Sequence, residues 1–217
     1  MEKLQKLLEH KSRKRVQFVS HTNRKAGFRV DNQHYVPGVT DTIHRAFPPP
    51  PFFASSSTES PAGCFGRDAM EHGSIVDEEV TLLVNKAALD IDAFQQMLAQ
   101  RRGRKCDMCT MRLVDWLLAR NWMPVRAQVP IWSRGGGFAT AIDLVCVDIS
   151  HDQLVVVELK CTHRDDQGMH AYANADDRCG VFFAQPFKGL PRTALNCHRL
   201  QLLATHACLT RSYKVKP

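Results

Sequence analysis

The sequence lacks any apolar run near the ~18 residues that a membrane-spanning helix requires. Its first residues, MEKLQKLLEHKSRKRVQF, lack the apolar stretch of a secretory signal, and Glu2 and Glu9 argue against a mitochondrial transit peptide. The expected compartment is therefore intracellular, nucleus or cytoplasm, with the mitochondrion left open, and no membrane partner is expected. There is no internal repeat, which excludes a solenoid or propeller. Cys106-Asp-Met-Cys109 has the spacing of half a zinc site, but no second pair of similar spacing completes it. In a reducing compartment the eight cysteines are then expected as mostly free thiols. Aromatic residues are sparse at 8%, so base stacking would fall to few rings. Of the tryptophans, Trp116 is expected in the core of a helix, and Trp132, beside Gly135-Gly136-Gly137, is the better candidate for substrate contact.

What is present is the make-up of a folded protein: 217 residues, 44% hydrophobic and 24% charged. Such a length can bury a substantial core without cross-links. The net charge of +7 is compatible with a polyanionic partner, and the basic residues cluster. Residues 1–25 carry eight Lys or Arg against two Glu; Arg101, Arg102, Arg104 and Lys105 form a second group.

Pattern divides the chain further. Residues 1–33 read as a basic arm, and 34–217 as one domain. Residues 48–63 are a loop by their Pro and Ser content. Helical spacing predicts helices over about 40–47, 66–87, 90–101, 110–121 and 193–209. Alternation predicts a strand over 125–131, and apolar runs predict strands over 138–148, 154–161 and 180–184. Residues 212–217 read as the start of a strand that runs past the last residue.

The chemistry concentrates in two of these strands. Ile149-Ser150-His151-Asp152 is a plausible four-residue hairpin loop between them. Pairing Asp148 with Gln153 sets a register in which Asp143 lies opposite Glu158. Directly opposed residues have Cβ atoms ~5 Å apart. Lys160, two residues on, shares the face of Glu158. Two carboxylates and an amine thus meet in an apolar sheet, where burial is costly unless they are paired or bind a metal. Facing carboxylates repel each other and attract a divalent cation, and oxygen ligands suit Mg²⁺ or Mn²⁺. The competing reading is a buried salt bridge.

Ala141-Ile142-Asp143 followed by Glu158-Leu159-Lys160 resembles motifs II and III of the PD-(D/E)xK nucleases, with Ile142 in place of the Pro. The resemblance implies an α+β fold of the α/β class: a restriction-endonuclease-like αβββαβ core, with a mixed sheet flanked by helices. It implies that Asp143 and Glu158 hold metal, with the carbonyl of Leu159 as a further ligand, and that Lys160 assists the attacking water. Gly73-Ser-Ile-Val-Asp77-Glu78-Glu79 resembles the preceding helix of the RecB-like and lambda-exonuclease-like branch. Many members place a metal-binding His where Asp77 stands, so the helical ligand is open among His72, Asp77 and Glu78. His198-Arg199-Leu200-Gln201-Leu202 is similar to the later helix whose Gln contacts the active site or substrate, with Thr205 where a Tyr is usual. Tyr35-Val-Pro-Gly-Val-Thr40 resembles an N-terminal P-S-V-T segment of some relatives.

The function so implied is a Mg²⁺-dependent deoxyribonuclease with DNA as partner, an exonuclease acting on ends or single-stranded regions in replication, repair or recombination. Gln201, Arg101, Arg102, Arg104, Lys105 and Trp132 are the expected substrate contacts. A junction-resolving endonuclease and a non-catalytic DNA-binding module of the same fold are the alternatives.

Overall fold

The computed structural model describes residues 16–21, 24–30, 34–47, 62–102, 106–133, 135, 137–160, 183, 186–191 and 194–213, some of them, 62–70 and 101–102 included, by backbone alone. The described residues form a mixed α and β protein with two three-stranded antiparallel sheets and five helices.

The first sheet joins β1 (Val16–His21), β2 (Arg24–Val30) and β3 (His34–Pro37) in sequence order. Val16 pairs with Val30, Phe18 with Phe28, and Phe28 in turn with Val36. Residues that charge alone marks as a basic arm therefore include a strand pair, and the sheet crosses the expected boundary at residue 33. Lys and Arg between the apolar positions mask a period-two pattern that buries Phe28 and Val30. Residues 1–15 and 48–61, the rest of the expected arm and nearly all of the expected loop, lie outside the described residues.

Helices follow as α1 (Val39–Ala46), α2 (Ala62–Asn85), α3 (Ile91–Arg102) and α4 (Met108–Leu118). Asp107 caps α4, its side chain accepting from the Cys109 amide. Then come β4 (Trp122–Ser133), β5 (Phe138–Asp148) and β6 (Gln153–Val157), with β5 central. Pro124 and Pro130 are tolerated in β4 because it is an edge strand of its sheet. The last described helix is α5 (Ala194–Tyr213). It continues through Ser212 and Tyr213, where pattern predicts a strand. The expected strand over 180–184 lies outside the described residues except for Phe183. The expected mixed sheet is antiparallel among the described residues, apart from a parallel bridge between Gly38 and Ala139.

Two apolar clusters cover the β4–β6 sheet. One unites Val125, Val129, Ile131, Ile142 and Val145 with Cys208 and Leu209 of α5. The other unites Ala127, Leu144 and Cys146 with Val76 and Val80 of α2 and Leu117 of α4. A third joins α2 to α3 through Leu83, Phe94 and Leu98. The buried Glu79 carboxylate ties α2 to the start of α4, accepting from Thr110 Oγ1 (2.8 Å), the Asp107 amide (2.9 Å) and the Cys106 thiol (3.4 Å). Trp116, expected in the core, is 41% exposed. It meets Trp122 edge to face, with Arg120 over its ring at 3.9 Å.

Candidate active site

The β5–β6 hairpin sets the geometry. Asp148 pairs with Gln153 as the loop length predicts, and the same register runs to Leu144 opposite Val157. Asp148 itself folds the loop, its Oδ1 accepting from the amides of Ser150 (2.9 Å) and His151 (3.1 Å) and its Oδ2 from Trp122 Nε1 (3.1 Å). The ladder ends at Val157, so Asp143 and Glu158 lie one step beyond the last backbone pair rather than within it. Side chains take over from there. The Leu159 amide donates to Oδ2 of Asp143 at 2.8 Å, and this holds the departing strand against β5.

Glu158 receives two donors on one oxygen. Lys160 Nζ lies 2.5 Å from Oε1, and Gln201 of α5 donates to the same atom. The Glu158 side chain is 6% exposed and that of Lys160 is 44% exposed, so the pair joins a buried carboxylate to a partly exposed lysine. Gln201 is buried, and its Oε1 accepts from Thr40 Oγ1 at 3.4 Å. The chain from Thr40 through Gln201 to Glu158 links α1, α5 and the end of β6.

On the other side stands α2. Asp77 accepts from the Gln128 side-chain amide at 2.5 Å, and the same nitrogen reaches Oδ1 of Asp143 at 3.4 Å. Burial raises the Asp77 pKa; the Gln128 bond opposes this and the Glu158 charge adds to it. Burial, then the Glu158 charge and to a lesser degree Asp77, push the Asp143 carboxyl up to about 7, against the Leu159 amide and Lys160. Asp77, Asp143 and Glu158 are thus electrostatically coupled, and ionised Asp77 and Asp143 are disfavoured there.

Of the three helical candidates, Asp77 is bonded into this group. His72 lies instead beside Asp107, with Nε2 to Oδ2 at 3.1 Å. Glu78 is half-buried on the same helix. Trp132 is half-buried on β4 and pairs with Ala139. The side chains of Arg101 and Arg102, and all of Arg104 and Lys105, lie outside the described residues.

Sequence reasoning gives Gln128 no role, yet it bridges two carboxylates. A signal for it exists: it is a polar residue in an alternating strand, in register with Asp143. Its backbone has φ +52°, a left-handed conformation inside a strand. The Asn85 side chain holds the neighbouring Ala127 by both backbone groups, donating to its carbonyl (2.8 Å) and accepting from its amide (2.9 Å). A β-bulge lies just upstream, between Pro124 and Arg126. Together these fix Gln128 in a costly conformation that aims its amide at the carboxylates.

The donor set fits a hard divalent cation. Asp77, Asp143 and Glu158 offer oxygen only, and two of them have raised pKa values where a cation would lower them. No family model, no curated protein and no solved structure matches the chain.

Proposed function

We propose that the protein is a Mg²⁺- or Mn²⁺-dependent deoxyribonuclease, acting as an exonuclease on DNA ends. The observation that carries this reading is the convergence of three coupled carboxylates, Asp77 of a helix with Asp143 and Glu158 of the hairpin, with Lys160 and Gln201 both on Glu158. The resemblance to the PD-(D/E)xK nucleases, read from motif residues alone, supports the same assignment.

In this reading Asp143 and Glu158 hold the cation, with Asp77 as third carboxylate and the Leu159 carbonyl as a further ligand. When bound, the cation supplies Lewis acidity toward the phosphate and lowers the pKa of a coordinated water. Lys160, whose side chain is partly exposed, donates to the attacking water and offsets the negative charge that develops on the phosphate. Gln201 keeps Glu158 oriented when Lys160 turns from it toward substrate. Gln128 sets the relative placement of Asp77 and Asp143. The basic residues at the N-terminus and at 101–105 would hold the DNA backbone with little reading of sequence.

The test is digestion of end-labelled linear DNA beside closed circular DNA, with Mg²⁺ or with EDTA. Loss of linear DNA only, and only with the metal, is expected. Cleavage of the closed circle would make the enzyme an endonuclease, and no cleavage of either would leave a binding module.

A further inference from the structure

A second constellation begins on α2 about one and a half turns before Asp77. His72, Asp107 and Cys109 bring an imidazole, a carboxylate and a thiol together, with one ligand atom from each within 4.8 Å of the other two. His72 belongs to α2, and the other two residues form the first turn of α4. The Asp107 carboxylate is set by its cap: Oδ1 accepts from the Cys109 amide at 2.8 Å, which leaves Oδ2 for His72 Nε2 at 3.1 Å. His72 and Asp107 are half-buried, and Cys109 is exposed. A solute can therefore reach the group from the thiol side.

We propose that His72, Asp107 and Cys109 form a transition-metal site, separate from the carboxylate site, that binds Zn²⁺.

The donor types decide the metal. A thiolate and an imidazole disfavour Mg²⁺ or Ca²⁺, which take oxygen, and favour Zn²⁺. Ligand bonds of about 2.0 Å for N and O and about 2.3 Å for S put tetrahedral ligand atoms roughly 3.3–3.5 Å apart. The His72–Asp107 pair already lies at 3.1 Å, and the thiol has to close from no more than 4.8 Å. Three protein ligands leave a fourth position for water.

The site also reinterprets the Cys-Asp-Met-Cys spacing. The two thiols do not converge: Cys106 turns inward to Glu79 at 3.4 Å, and Cys109 turns to His72 and Asp107. In place of a half-site of two cysteines, the segment offers one cysteine and the Asp between them. The missing ligand comes from a helix 35 residues earlier. On binding, the ion replaces the thiol proton, which passes to solvent, and His72 binds as the neutral imidazole with its one proton on the other ring nitrogen. It would pin α2 to α4 beside the Glu79 link, on the helix that carries Asp77.

The full chain, stripped of metal by chelation, would be titrated with Co²⁺ as a spectroscopic substitute and then with Zn²⁺. Co²⁺ bound at this site should show a thiolate-to-metal charge-transfer band and the visible bands of a four-coordinate ion, and Zn²⁺ should displace it. Cys109→Ser should remove the charge-transfer band. His72→Gln and Asp107→Asn should each weaken binding by at least about a hundredfold, since even outer-shell losses cost ~10–100-fold. Asp107→Asn retains the helix cap and so guards against simple misfolding. Asp143→Asn should leave the spectrum unchanged. Absence of the thiolate band in the unaltered protein would overturn the site, as would its persistence in Cys109→Ser or its loss in Asp143→Asn.

Discussion

Gln201 of α5 donates its side-chain amide to the same Glu158 oxygen that receives the Lys160 ammonium, from 43 residues further along the chain. A carboxylate 6% exposed thereby has one donor fixed in the core and one free to reach solvent. In the proposed nuclease the fixed donor would preserve the site while Lys160 acts. Gln201→Leu should therefore lower cleavage without removing metal affinity altogether, and Gln201→Glu should be worse, because it sets a second carboxylate against Glu158. Rates and Mg²⁺ titrations of the two variants check this order.

Asp143→Asn should abolish cleavage and stabilise the metal-free protein at neutral pH. Burial and the Glu158 charge make the ionised Asp143 unfavourable, and a neutral amide removes that cost. The shift from 3.8 to about 7 bounds the gain at roughly 4 kcal/mol. Loss of the bonds from Leu159 and Gln128 reduces it. Chemical denaturation in EDTA measures the gain, and Mg²⁺ should stabilise the unaltered protein but not the variant.

The same group sets a pH dependence. Its folded pKa exceeds its unfolded pKa, so between about pH 4 and 7 the folded state holds more protons, and stability falls as pH rises through that window. Asp77, also raised, acts in the same direction. Unfolding of the metal-free protein should become easier from pH 4 to 7. Saturating Mg²⁺ should flatten the slope, and Asp143→Asn should reduce it. Cleavage at limiting Mg²⁺ should rise through the same range, because the ligand must lose its proton to bind.

The strained backbone at Gln128 gives a cleaner comparison. Gln128→Ala and Gln128→Gly both delete the amide that serves Asp77 and Asp143, and both should lower cleavage alike. Only glycine relieves φ +52°, so it should be about 1 kcal/mol more stable than the alanine variant. Equal stabilities would mean that the backbone relaxes once the side chain is gone.

The hairpin register was legible because two apolar runs flank a short polar loop, and one wrong step would have turned every side chain over. The helices were legible by their periodicity to within a few residues. Gln128 was not, since a strand pattern reveals alternation but not a left-handed residue within it. Nor was the β1–β2 pair, where clustered Lys and Arg outweighed a short apolar alternation. The partners of His72 and Glu79 depend on how α2 packs on α4, which no local spacing encodes.

That strand pair changes how the basic N-terminus must be tested. Deletion through residue 25 would remove β1 and part of β2, so weaker binding could reflect damaged structure. Replacing Lys3, Lys6, Lys11, Arg13, Lys14 and Arg15 by Gln leaves β1 intact, since it begins at Val16. If the segment contacts phosphates, the slope of log affinity against log salt should fall by up to about 0.9 for each phosphate that is no longer neutralised. An unchanged slope would exclude this segment from DNA binding.

Lys160 separates a catalytic centre from a structural ion pair. A purely structural partner of a buried carboxylate leaves an uncompensated charge when it is removed, at a cost of ~3–5 kcal/mol. Three features here predict a smaller loss. The Lys160 side chain is 44% exposed, so solvent already screens the pair; Gln201 still donates to Glu158; and a bound cation would supply charge of its own. Lys160→Ala should thus unfold within about 1 kcal/mol of the unaltered protein, as exposed pairs do. It should bind Mg²⁺ at least as tightly, because the carboxylates lose a competing cation. Turnover should fall by about 10²–10³, the cost of removing one donor from developing negative charge. Lys160→Arg would keep the charge but not the compact ammonium, and should recover only part of the rate. Denaturation with and without Mg²⁺, run beside single-turnover cleavage, distinguishes the roles. A strongly destabilised Lys160→Ala protein that Mg²⁺ does not rescue would make the lysine structural, whereas a stable, metal-binding, inactive one would place it in the chemistry.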